Sequence, residues 1–175
     1  MSLSRTESRR RLTSLSMGKW VAAGIVFVAL LVLAFVLYVR TADSSYRADE
    51  RRAVTIAKVQ GGLTDIDQAV WYTWDDSLWI VSGQDKDGQS WILWERSDGI
   101  VKEKASDGYT ESRIRERFAA DRPAAVPLRV QPGWFGGMPA WEIRYRKSPA
   151  SDQQGIDFYS FKEGALLKAY DLPGN

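Results

Sequence analysis

The sequence predicts an α+β protein made of one membrane-spanning helix followed by two similar units, each a helix leading into short strands. Three observations carry this. Residues 20–39, WVAAGIVFVALLVLAFVLYV, hold no charge. Beyond them, segments with helical spacing at 46–60 and 110–122 each precede runs rich in Trp, Ile, Val and Tyr, which favour strands. Finally, WILWERSDGIVKE and IDFYSFKEGALLK share one pattern: an aromatic strand, a charged turn with glycine, then an apolar strand.

The apolar run comes first. At about 1.5 Å per residue it reaches about 30 Å, the thickness of a bilayer core. Trp20 and Tyr38 sit near its ends, where amphipathic rings favour the interface, and Lys19 and Arg40 close it. A cleaved signal peptide is the rival reading, but its apolar region runs about 7–15 residues and ends at a small-x-small site. Ala42-Asp43-Ser44 is a poor version of such a site. The expectation is an uncleaved anchor at 20–39 that meets the lipid bilayer directly. The two flanks nearly tie in Lys and Arg, so the layout decides orientation. A short basic tail, one span and a folded body describe a signal-anchor, with residues 1–19 cytoplasmic and 40–175 outside the cell membrane.

In the first unit, 40–105, Ala53, Val54 and Ala57 give helical spacing with Ile56 beside them, and Gly61-Gly62 stops the helix. Strands are expected at 67–74, 78–82, 90–95 and 100–104. In the second unit, 106–175, Thr110 is an N-cap with Glu111 in the first turn, Ile114 and Phe118 lie one turn apart, and Arg122-Pro123 ends the helix. Strands are expected at 127–130, 141–146, 156–161 and 166–170. Trp141, Ile143 and Tyr145 alternate with Glu142, Arg144 and Arg146, the pattern of a half-buried strand. Units of about sixty residues bury only about 60% of their unfolded surface, so many of the eight tryptophans are expected to fill thin cores and to pack one half against the other.

Composition narrows the function. Twenty-four basic and 22 acidic residues leave a net charge of +2, so no global field selects nucleic acid as a partner. There is no cysteine and no histidine, which excludes disulfides, thiolate zinc sites, cysteine nucleophiles and every Ser-His-Asp triad. The expectation is a non-enzymatic protein with no catalytic residue, cofactor or metal.

Three stretches still invite a chemical reading. Asp85-Lys86-Asp87-Gly88 resembles the start of a calcium loop, but its glycine comes two positions early and position twelve is Arg96 rather than an acid. Asp87-Gly88 is instead a common turn pair, so a hairpin is expected. Asp75-Asp76 is read as a solvated turn rather than a catalytic dyad, which would need burial to split two carboxylate pKa values. Residues 132–139, PGWFGGMP, are read as a loop whose Trp134 and Phe135 either fold back into the core or meet a partner. Arg144, Arg146 and Lys147 are most simply the solvent face of a strand. Trp134, Phe135, Arg144 and Arg146 are the candidate partner-binding residues.

The layout, through LWIVSGQDKDGQSWILW, DGIVKEKASDGYTESRIRERF, PAWEIRYR and IDFYSFKEGALLKAYDLP, resembles the cell wall elongation regulator TseB-like (YpmB-like) family of low-GC Gram-positive bacteria. The resemblance covers nearly the whole chain. It implies two tandem PepSY- or cystatin-like units, each a helix packed across an antiparallel sheet. It also implies an accessory role in lateral wall synthesis, with a membrane-bound penicillin-binding transpeptidase as partner. It carries no catalytic motif. Two further functions stay open: a peptidase inhibitor or chaperone-like module, and a module that binds peptidoglycan through surface tryptophans. A hydrolase using Asp75 or Asp76 is the remaining rival.

Overall fold

The computed structural model describes residues 17–173. The chain divides into two compact units, the boundary falling between Tyr46 and Arg47. Most of the basic tail, residues 1–16, lies outside the described residues.

Helix α1 runs from Met17 to Val59. Within the first unit, Gly18–Tyr38 are 21 residues long and apolar enough to cross a membrane. Every side chain from 18 to 38 is exposed. A core helix of a soluble protein buries an apolar stripe, and this stretch buries none. It is compatible with a membrane anchor.

The second unit takes the last turns of α1 and two antiparallel four-stranded sheets. The first sheet is β1 (Leu63–Thr73), β2 (Ser77–Asp85), β3 (Ser90–Arg96) and β4 (Gly99–Lys104), adjacent in chain order. A 3-10 turn at Ala105–Asp107 leads to α2 (Glu111–Asp121). The second sheet follows as β5 (Val126–Phe135), β6 (Met138–Arg146), β7 (Gln154–Ser160) and β8 (Leu166–Asp171). Thr110 caps α2, its hydroxyl accepting from the Arg113 N–H at 3.4 Å. The helix ends before Pro123 because the residue before a proline is pushed out of the helical region.

Two apolar clusters hold this unit. In the smaller, Ala53 and Ala57 of α1 pack on Leu63, Trp79, Val81 and Leu93, one face of the first sheet. The larger spans both sheets. Leu78, Ile80, Ile92 and Trp94 from the first join Ile114 and Phe118 of α2 and Trp134, Trp141, Ile143, Tyr145 and Tyr159 from the second. Burying a large apolar side chain stabilises by about 1.5–3 kcal/mol, so neither half contains its own full share of core. The Trp94 indole donates to the Gly133 carbonyl at 2.8 Å, tying the halves together through a buried bond.

Two expectations need correction. Residues 132–139 are not a loop. β5 continues to Phe135 and β6 starts at Met138, leaving only Gly136 and Gly137 between them, with φ of 59° and 81°. Two consecutive positive φ values make the tight turn that matches strand twist. Pro132 pairs with Trp141 within the ladder because β5 is an edge strand, where a missing N–H is tolerated. Nor is β6 half-buried. Glu142 is 2% exposed beside Trp141 at 5%, because side chains of the first half cover the face that alternation leaves to solvent.

Candidate interaction surface

Register fixes which side chains share a face of the second sheet. Phe135 lies opposite Met138, Glu142 opposite Phe158, and Ile156 opposite Tyr170. These residues lie on the face away from α2. Trp134, Trp141, Ile143 and Tyr145 take the alternate positions and point to the α2 side. Trp134 is 1% exposed and offers no ring area to a partner in this fold. The Arg96 guanidinium lies 4.9 Å over its ring.

On the outer face, Phe135 stacks on Phe158 at 4.5 Å and 16°. Trp74 crosses over from the β1–β2 turn, 5.0 Å from Phe158 and 5.4 Å from Tyr170. Phe158 is fully buried under this group, while Trp74 keeps 38% of its surface exposed. Trp74, Phe135 and Tyr170 therefore form a partly open aromatic shelf. Asp75, next in the same turn, accepts the Gly136 N–H at 3.0 Å and fixes the two hairpin ends together. Its neighbour Asp76 lies 3.8 Å from Arg96. The two carboxylates thus serve separate partners and do not form a dyad.

Beneath the shelf, Glu142 pairs with Arg129 at 2.6 Å. Burial, then the Glu142 carboxylate, pushes the Tyr72 hydroxyl above its ordinary range. Arg144 is half-buried and donates through Nε to Gln154 Oε1 at 2.8 Å. With Asp152, Leu172 and Pro173 these two residues line a hollow of about 490 Å³. Arg146, next but one on the same face, has its Nε enclosed without a hydrogen-bond acceptor among the described residues.

A second concavity of about 650 Å³ opens on the α2 side, lined among others by Arg122, Ala125, Tyr145, Lys147, Ala169 and Asp171. Behind two of its lining residues Asp157 is fully buried and accepts from Arg122 Nη2 at 3.2 Å, Arg122 Nε at 2.5 Å and the Tyr145 hydroxyl at 3.1 Å. The bond to Asp157 holds the Arg122 guanidinium above its usual value. Burial, then Asp157, pushes Tyr145 up to about 12.

Asp85 answers the calcium question. Its Oδ1 accepts from the N–H groups of Asp87 and Gln89, each at 2.9 Å, and its Oδ2 from the Trp91 indole at 2.8 Å. The carboxylate is used up in shaping the β2–β3 hairpin. Among the described residues no group of three or more Asp and Glu could hold a metal ion.

Of the four sequence candidates, Phe135, Arg144 and Arg146 share the outer face and Trp134 is parted from them. Trp74 and Tyr170 went unrecognised. Trp74 was legible as a tryptophan beside a turn, but nothing local reveals that the turn reaches the other sheet. The Arg122–Asp157 pair spans 35 positions and leaves no sequence signal.

Residues 52–94 match the cell wall elongation regulator TseB-like domain. This TseB-like segment holds the end of α1, β1, β2 and most of β3. The YpmB protein from Bacillus subtilis has a similar solved fold, with a TM-score of 0.64 and 21% identity over 70% of this chain and 97% of that one. The resemblance to the TseB-like, YpmB-like family read from the sequence is borne out, and so is the α+β architecture of an apolar helix and two antiparallel sheets. A Clostridium difficile protein described as a candidate lipoprotein aligns at a TM-score of only 0.36, with 14% identity over 69% of this chain and 90% of that chain. No curated protein sequence matches the chain.

Proposed function

We propose that this chain is a membrane-anchored, non-enzymatic accessory protein of cell wall elongation that acts by contact with a penicillin-binding transpeptidase. The TseB-like match over residues 52–94 carries the reading. The apolar Gly18–Tyr38 helix supports an anchor, with the basic tail in the cytoplasm and the body outside. Tethering to the same membrane raises the effective concentration of the two partners, so a modest interface suffices. The outer face of the second sheet is the contact. Phe135, with Trp74 and Tyr170, supplies aromatic area, and Arg144 and Arg146 supply donors at its margin. Trp134 backs the same hairpin from within the core.

The test uses photo-crosslinking residues placed singly at Trp74, Arg144 and, as a control, Asp87, in the full-length protein in its native membrane. Capture of one penicillin-binding protein from the first two positions and not from Asp87 is the expected result. Capture of a protease would replace this reading with the inhibitor one. Capture of wall glycan alone would replace it with peptidoglycan binding.

A further inference from the structure

The face of the first sheet that meets α1 holds a carboxyl group with one oxygen left unbonded. On β3, Trp91, Leu93 and Glu95 point to that face by alternation. Glu95 stands opposite Trp79 of β2 and Ile100 of β4. Both neighbours belong to the cluster that Ala53 and Ala57 close, so the group sits within the seat of the helix. Glu95 is half-buried, and its Oε1 is enclosed without a hydrogen-bond donor among the described residues. Such an oxygen is tolerated on a neutral carboxyl and is costly on a charged one.

The charges around it do not relieve it. β4 turns Lys102 and Lys104 to the same face, but Lys102 donates to the Gly61 carbonyl at 2.7 Å and lies 3.9 Å over the Trp91 ring. Lys104 lies 5.7 Å over that ring. The adjoining positions of β1 and β2, Trp71, Thr73 and Ser77, carry no charge. On α1, spacing from Ala53 and Ala57 brings Glu50 and Arg47 to the sheet side, Glu50 half-buried and Arg47 exposed. Burial alone raises Glu95 from its ordinary 4.5 to about 7.

The seat holds the helix lightly. Among the described residues α1 contributes two buried side chains, Ala53 and Ala57, and both are small. The larger cluster, by contrast, joins both sheets and α2 through tryptophans, tyrosines and isoleucines. Local opening starts where few apolar contacts hold an element, which here is α1 on the first sheet.

We propose that Glu95 is a proton-operated latch: while its carboxyl is neutral the last turns of α1 stay closed on the first sheet, and when it is charged they open. The closed state binds this proton more tightly than the open one. Closure is therefore strongest below about 4.5, weakens as pH rises to about 7, and is level above that. The same helix carries the apolar Gly18–Tyr38 stretch, so the latch sets how firmly the first sheet holds the helix that anchors it. This goes beyond the proposed function and requires no particular partner.

The test is hydrogen–deuterium exchange of the full-length protein in lipid nanodiscs from pH 5 to 8, each rate corrected for chemical exchange at that pH. Protection at residues 53–59 should fall by about tenfold or more over this range and level off above about 7, a discounted figure because half of the side chain meets water. At pH 8 these amides should exchange at least about tenfold faster than residues 141–146 of the larger cluster, and added urea should speed them little. Glu95→Gln should keep 53–59 at the closed level at pH 8, and Glu50→Gln should leave the fall in place. Glu95→Met, also neutral at every pH, gives a second reading should the amide variant fold poorly. Protection at 53–59 that is flat with pH, or that falls equally in both Glu95 variants, or that disappears as a pH effect in Glu50→Gln, would each overturn the latch. Equal protection of 53–59 and 141–146 at every pH would overturn it too, since α1 would then open only with the whole unit.

Discussion

Single residues in this protein are placed by what their charge or donors must find. Asp85 is half-buried and organises a hairpin, because three donors converge on one carboxylate. The Trp91 bond, followed by the Gln89 N–H, lowers its pKa from the ordinary value. Glu95 is the opposite case. Burial alone raises it to about 7, and one of its oxygens is enclosed without a hydrogen-bond donor among the described residues. The folded state therefore holds this proton more tightly than the unfolded chain does. As pH rises above about 4.5 the unfolded chain ionises first, and stability falls until the folded group also ionises near 7. Glu95→Gln removes that loss. It should stabilise the protein by about 1–2 kcal/mol at pH 8 and change little at pH 4, as urea melts at the two values would show. Equal effects at both would mean that packing at this position, not ionisation, sets the difference.

At the scale of elements, the β5–β6 hairpin carries the most information. Gly-Gly between two apolar runs is a hairpin signal, but Pro132 and Gly133 read as breakers and hid the strand before it. Gly133 is required by a close approach: a Cβ there would stand 2.9 Å from the Tyr72 hydroxyl. Gly133→Ala should destabilise by about 1–3 kcal/mol, measured by thermal or urea unfolding, because two packed strands must move apart. The C-terminal end of α2 depends on Arg122 in the same way. Arg122→Ala would leave the buried Asp157 with the Tyr145 hydroxyl alone, and should cost about 3 kcal/mol by the same measurement. Asp157→Asn together with Arg122→Ala should recover part of it, since no buried charge then remains. The short α2 helix itself was readable to within a residue, because cap, apolar spacing and proline stop are all local.

The whole molecule behaves differently from a pair of small domains strung together. The largest apolar cluster draws on both sheets and α2, so residues 47–173 should unfold in one cooperative transition. A fragment of residues 40–105 made alone should show no sharp melt and should expose Trp94, read as red-shifted tryptophan emission. Two separate transitions in the intact protein would contradict a shared core. Duplication was visible in the sequence as two runs of like pattern, whereas the interdependence of the copies was not.

What the sequence by itself determined is everything set by near neighbours. The apolar span follows from twenty uncharged residues, the α2 cap and stop from Thr110 and Pro123, the β2–β3 turn from Asp87-Gly88, and most strands from aromatic and β-branched runs. The exclusion of histidine and cysteine chemistry follows from their absence. The tertiary structure alone decided which face each strand turns to its neighbours. It sent Trp134 inward and Phe135 outward, buried Glu142 beneath the first half, and brought Trp74 onto the second sheet. The reason is physical. Alternation tells which residues lie together on a strand, but a face becomes core or surface only when another element covers it, and that element is tens of residues away in the chain.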